Sequence, residues 1–287
     1  MRNLIGLDRS MKIREPLRIP IIISGIIAVW FFGWILLSPS QPAYAGKSLS
    51  YWMDRYDNRM FSTAPRTNDN DTLEADKALR EIGTNAFPFL LRMVARKDSA
   101  LKAKLIAIYR KQTWLELPIR DAEYYHTKST YGFAALHGMA RPAVPNLIRL
   151  LKDQDSEVRA AAAANLALIG PEAEEAIPAL LPLLDEQNHG ISILNAMGAL
   201  GQIHRKPDVV LPRLVEFLDG DRKDWNYASA ALDAIGRFKS DARHLAPLIA
   251  SFLNDPVTSK RDSADSALIK VDPEMAQKIF KAKAESN

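Results

Sequence analysis

The chain has 287 residues, no cysteine and a net charge of +4. Without cysteine there are no disulfides, no thiolate chemistry, no cysteine-held zinc and no lipid anchor on cysteine. The positive charge is local: residues 1–45 hold Arg2, Arg9, Lys12, Arg14 and Arg18 against Asp8 and Glu15, and the remainder is close to neutral. Bulk charge therefore gives no reason to expect a nucleic-acid partner.

Residues 1–18 form a basic segment. Ile19 to Leu37 then runs 19 residues without a charge, about enough to cross the hydrocarbon core as a helix, with Trp30 and Trp34 toward its far end. The preceding positive charges put the N-terminus in the cytoplasm and everything after Leu37 outside it. Two readings stay open. Ala43 and Ala45 have the small–x–small spacing of a signal-peptidase site, so cleavage after Ala45 would leave a secreted or periplasmic chain. The length of the apolar run instead suits an uncleaved single-pass anchor.

Residues 38–71 read as a linker with one short helix. Leu49, Trp52, Met53 and Tyr56 recur at helical spacing after Ser48, a suitable N-cap, and this helix is expected to cover the open apolar end of the domain downstream. Phe61 to Asp71 is polar and reads as a loop.

From residue 72 onward the chain repeats itself. A small residue, then Leu four later, then an apolar residue three after that, occurs at Ala75/Leu79/Ile82, Gly132/Leu136/Met139, Ala162/Leu166/Ile169, Ala196/Leu200/Ile203, Ala228/Leu232/Ile235 and Ala264/Leu268/Val271. Between these lie Pro88, Pro145, Pro178, Pro212 and Pro247, each heading a second apolar pattern, at intervals of 57, 33, 34 and 35 residues. The last three intervals are a solenoid period. The clearest unit is Asp155 to Asp185: Asp155 caps a first helix, Gly170-Pro171 stops it, and Ile177, Leu180, Leu181 and Leu184 mark the second. Pro182 inside that second helix should bend it. Asp272-Pro273 has the N-cap and N1 pattern of a last helix.

DSEVRAAAAANLALIG with the downstream AIPALLPLL, and the weaker copies ALREIG, ALGQI and ALDAIG, resemble the HEAT-repeat family. GKSLSYWMDRY is similar, over a short length, to a segment of exported bacterial HEAT-repeat proteins. The resemblance implies an all-α fold, an α-solenoid of stacked antiparallel helix pairs over residues 72–287, of a kind that usually holds other macromolecules; it does not imply a reaction.

The 57-residue interval marks an insertion at about 99–130. It contains a helical stretch with Leu101, Leu105 and Ile108 apolar, then Trp114, Tyr124 and Tyr125 among charges. Aromatic residues inserted in a solenoid make a reasonable recognition feature, although the tyrosines could equally begin the next helix.

No chemistry stands out. The five histidines, at 126, 137, 189, 204 and 244, have neither i, i+4 spacing nor a following Glu, so the His-Glu iron sites of HEAT-repeat hydroxylases are not carried over. No catalytic, cofactor-binding or metal-ligating residue is expected, and no cofactor. The second helices line the concave face in this family, and helical phase places Asn146, Arg149, Lys152, Arg213 and Glu216 there. The expected function is a non-catalytic scaffold, exported or tethered through residues 19–37, that binds a protein or peptide. A structural subunit of the cell envelope and an envelope enzyme are the alternatives.

Overall fold

The computed structural model describes residues 41–55, 69–111, 120–185, 190–218 and 225–285. The basic segment, the apolar run Ile19–Leu37 and Trp114 lie outside the described residues. Among the described residues no helix is long and apolar enough to cross a membrane.

The folded unit begins at Pro42. Strands β1 (Ala43–Tyr44) and β2 (Lys47–Ser48) pair antiparallel around Ala45 and Gly46. Both turn residues have positive φ, 48° and 71°, as a two-residue hairpin turn matching the strand twist requires. Helix α1 (Leu49–Arg55) comes directly after, its Tyr51 N–H donating to Ser48 Oγ (3.3 Å). Leu49, Trp52 and Met53 are buried, and the helix packs against the helix Asp69–Ile82. The Trp52 indole donates to Tyr44 O (3.2 Å) and the Leu49 N–H to Pro42 O (2.8 Å).

The rest is a stack of helix pairs. The first helices are α2 (Asp69–Ile82), α5 (Ala122–Leu136), α7 (Ser156–Ile169), α9 (Gly190–Ile203), α11 (Trp225–Gly236) and α13 (Thr258–Val271). Their partners are α3 (Phe87–Val94), α6 (Val144–Leu150), α8 (Ile177–Leu180), α10 (Pro207–Val215), α12 (Ala246–Ser251) and α14 (Pro273–Glu285). Helix α4 (Ala100–Tyr109) is the extra element of the insertion. The all-α solenoid expected from the repeat is the fold. The first helix begins at Asp69, inside the stretch read as a loop.

Local chemistry sets the boundaries. Asp155 Oδ1 accepts the Glu157 N–H (2.9 Å) at the head of α7, and Asp121 Oδ1 accepts the Tyr124 N–H (2.8 Å) at the head of α5. Asp272 Oδ1 accepts the Met275 N–H (3.1 Å) at the head of α14. First helices end in positive φ at Gly83, His137, Gly170 and His204. At His137 (φ 43°, ψ −132°) and Gly170 (φ 77°, ψ −142°) this conformation suits only glycine, so His137 is strained. Pro182 does more than bend its helix. It cannot donate to Pro178, and the α-helix gives way after Leu180 to a 3₁₀ turn over Leu181–Asp185.

The first helices form the spine of the core, which runs without a break from Leu49 to Ala276. Small residues let them approach. A Cβ on Gly201 would lie 2.8 Å from Ala234 Cα, and one on Gly236 would lie 2.9 Å from Ala267 Cα. Polar residues peg neighbouring first helices together: Asn165 Nδ2 donates to Ser129 Oγ (3.0 Å), Ser192 Oγ to Ser156 O (3.1 Å) and Asn195 Nδ2 to Ala160 O (3.2 Å). Buried polar groups need such partners, so each peg also fixes the register of one repeat on the next.

Candidate functional site on the second-helix face

Because α7 buries nearly its whole circumference, the surface chemistry of the repeats falls to the second helices and the loops between units. A groove of about 590 Å³ lies where α6 meets α8. Ile148, Leu151, Pro178, Ala179, Pro182 and Leu183 give it apolar walls, and Lys152, Asp153, Arg159 and Glu175 give it charge. Pro178 of α8 and Pro182 of the 3₁₀ turn after it both line the groove.

The loop before α7 is locked. Arg159 Nη1 donates to Asp153 O (2.7 Å) and Gln154 O (3.0 Å), and Asp153 Oδ1 accepts the Asp155 N–H (2.8 Å). Lys97, from the previous unit, pairs with the same carboxylate at 2.5 Å. Burial alone would raise the Asp153 pKa, but the bonds from Lys97 and the Asp155 N–H, with the Lys97 and Arg159 charges, hold it below the usual carboxylate range. The same lock recurs before α13: Arg261 Nη1 donates to Asp255 O (2.7 Å) and Pro256 O (3.1 Å), and Asp255 Oδ1 accepts the Val257 N–H (2.8 Å). Neither loop stands out from helical periodicity. The signal that could have found them is an Asp six residues before an Arg, in DQDSEVR and in DPVTSKR.

Of the residues expected on this face, Lys152 lines the groove. Asn146 and Arg149 sit beside it on α6, where the Arg149 guanidinium donates to Asn146 Oδ1. Arg213 and Glu216 belong to the second helix two units further on. Arg213 donates to Asp185 and also pairs with Glu216 (3.1 Å), so it bridges consecutive second helices. The Asp185 hydrogen bond raises the Arg213 pKa despite opposing burial, reinforced by the Asp185 and Glu216 charges. The face thus passes from basic on α6, through acidic Glu175 and Asp185, to a paired cation on α10.

The insertion tyrosines stand elsewhere. Tyr124 and Tyr125 form the first turn of α5 and meet edge to face at 5.4 Å between centroids. The Tyr124 hydroxyl donates to Asp54 of α1 (3.3 Å), and Arg96 covers the Tyr125 ring at 4.9 Å. Burial and the Asp54 charge raise the Tyr124 pKa, so the phenol stays protonated and keeps donating. Lys128 completes this joint by pairing with Asp54 (2.9 Å) and donating to Met53 O (3.3 Å). Both tyrosines are engaged in fastening the N-terminal helix and the loop after α3. Among the described residues no three His, Asp or Glu side chains converge as a metal set would.

Residues 132–193 match the HEAT-repeat family, a span that includes the groove. No curated protein matches the chain. Two solved engineered proteins from a structural genomics consortium are similar at 18% and 19% identity, with TM-scores of 0.38 and 0.37. The alignments cover 78% of this chain in both cases, and 96% and 57% of the respective engineered chains. HEAT repeats generally act as protein-interaction scaffolds, and the all-α solenoid of this chain carries HEAT-like repeats in its matched units.

Proposed function

We propose that the protein is a scaffold, tethered to or exported across a membrane, that holds an extended protein or peptide segment along its second-helix face. The observation that carries this reading is the groove between α6 and α8, with proline and aliphatic walls and charge of both signs. An apolar trough with a few fixed polar groups suits a peptide: side chains enter the trough, and the backbone or charged ends meet Lys152 and Glu175. Arg149, exposed beside the groove, extends the basic side toward a carboxylate-bearing partner.

The tether reading rests on the charge-free run Ile19–Leu37 and the bases before it. Retention of the tether is supported by the hairpin. The residues before the small–x–small cleavage position bond to α1 through Pro42 O and Tyr44 O, so the sequence a peptidase would read belongs to the folded unit.

A photo-cross-linking residue placed at Ala179, with another at Ile269 on the exposed side of α13 as control, tests the scaffold in the native envelope. One discrete adduct from position 179 and none from 269 supports it. Equal labelling from both, or none from either, overturns it. Intact mass of the mature chain tests the tether: a chain starting at Gly46 removes it.

A further inference from the structure

Helix α4 carries apolar residues on the wrong side for a solenoid. Leu101, Leu105 and Ile108 are 69%, 57% and 67% exposed, while Ile106 is the buried residue of the helix at 9%. At about 100° per residue the three exposed side chains form one stripe, centred roughly 130° round the helix from Ile106. A helix apolar on two sides needs a second neighbour. Both ends of the helix are held in place: Lys102 pairs with Asp98 and donates to Arg120 O (2.9 Å), and Arg110, just past its end, pairs with Asp121 (2.8 Å). Asp98 in turn accepts the Ala122 N–H (2.9 Å). The helix is therefore fixed to the head of α5 with its stripe facing out.

Two features identify what covers the stripe. Lys104 lies along one edge of it and Lys111 follows two residues after the helix; neither has an ion-pair partner among the described residues, and no carboxylate lies within α4. The second feature is the tether, and the inference rests on that reading. Only Ser38 to Gln41 separate Leu37 from Pro42, a reach of about 18 Å at full extension. The hairpin that begins there bonds to α1, and Asp54 of α1 and Asp98, which pairs with Lys102 of α4, both bond the first turn of α5, at Tyr124 and Ala122. In a chain tethered through residues 19–37, the folded unit would therefore begin within that reach of the apolar run. We propose that α4 is a membrane-surface helix. Leu101, Leu105 and Ile108 enter the headgroup–acyl boundary, Lys104 and Lys111 meet anionic headgroups, and the contact sets how the repeat domain stands on its membrane.

The absence of cysteine allows a direct test on the full chain. Leu105→Cys, labelled with an environment-sensitive fluorophore, is reconstituted in phosphatidylcholine–phosphatidylglycerol vesicles containing spin-labelled lipid. Ile191→Cys on α9, also half exposed, serves as control. The expected result is a blue shift and strong quenching at position 105, little at 191, and loss of the quenching when Leu101 and Ile108 are changed to Glu with helicity unchanged. Carbonate extraction of the same vesicles reads the tether separately. A chain that resists extraction but leaves the 105 probe in water overturns the α4 proposal and spares the tether. An extractable chain whose 105 probe is still quenched removes the tether and retains α4 as a peripheral lipid contact. A 105 probe that is shielded but unquenched, and shielded equally without vesicles, overturns the proposal in favour of cover by protein, either residues 112–119 or a second copy.

Discussion

Helices α4 and α7 are built from similar residues, rich in Ala, Leu and Ile, and end in opposite circumstances. α7 lies between α5 and α9, and Val158, Ala162, Leu166 and Ile169 are all shut off from water. α4 rests on the stack at one end and shows Leu101, Leu105 and Ile108 to solvent. Both helices carry an apolar stripe, so the difference comes from neighbours. A repeat has another repeat on either side, whereas an insertion has whatever its two attachment points allow.

The largest effect that tests this contrast is Leu166→Ala. Leu166 is fully buried, and truncating such a leucine costs about 2–5 kcal/mol through lost transfer energy and an unfilled cavity. Denaturant melts of the full chain in detergent are expected to show the loss with the middle repeats affected first, because a solenoid couples mainly nearest neighbours. A change under about 0.5 kcal/mol, as surface substitutions give, would mean that α7 is not the spine described.

Within one first helix the contrast becomes a matter of a single atom. Gly201→Ala is expected to destabilise by about 1–3 kcal/mol, since its Cβ would press on the Ala234 backbone. Gly198→Ala, three residues earlier with nothing within 4 Å, is expected to gain up to about 1 kcal/mol from helix propensity. If both substitutions move the melting midpoint the same way, the close approach of α9 to α11 is not what keeps glycine at 201.

Asp98, before α4, and Asp153, in the lock before α7, give a pH signature. Asp98 and Asp153 both titrate below their ordinary value in the folded chain, in each case because hydrogen bonds from a lysine and a backbone N–H, with nearby positive charge, outweigh burial. A depressed folded pKa contributes stability that is present above the unfolded value near 3.9 and is lost as pH falls through the folded one. Stability should therefore be flat with respect to these groups above about pH 5 and fall below about pH 4. Asp153→Asn should flatten part of that fall. An unchanged acid limb in urea melts at pH 3 and pH 6 would separate the lock from the stability of the stack.

The smallest effects belong to the surface. Leu105→Ala and Arg149→Ala should each change stability by less than about 0.5 kcal/mol without lipid, the first because its side chain is over half exposed, the second because its partner Asn146 shares its own helix turn. A loss of 2 kcal/mol or more at Leu105 would show that α4 is covered by the protein itself.

The pairs of helices were legible in the sequence because their cause is local and periodic. Asp155, Gly170 and the prolines from Pro145 to Pro247 act within a few residues of themselves, and a repeat states its packing six times over. The candidate groove was only partly legible. Helical phase put Lys152 on the second-helix side, where it lines the groove, but the groove depends on Glu175, Pro178 and Pro182 from the next unit, and on the Arg159 lock that holds the loop between them. Tyr124 and Tyr125 are open to two readings in the sequence, recognition residues or the start of the next helix; in the structure they form the first turn of α5 and contact Asp54 and Arg96. Leu101, Leu105 and Ile108 have the spacing of a buried stripe and are nevertheless outside. Periodicity determines that a helix has an apolar face. Whether another helix reaches that face is decided by contacts between residues far apart in the chain, and these exist only once the stack has formed.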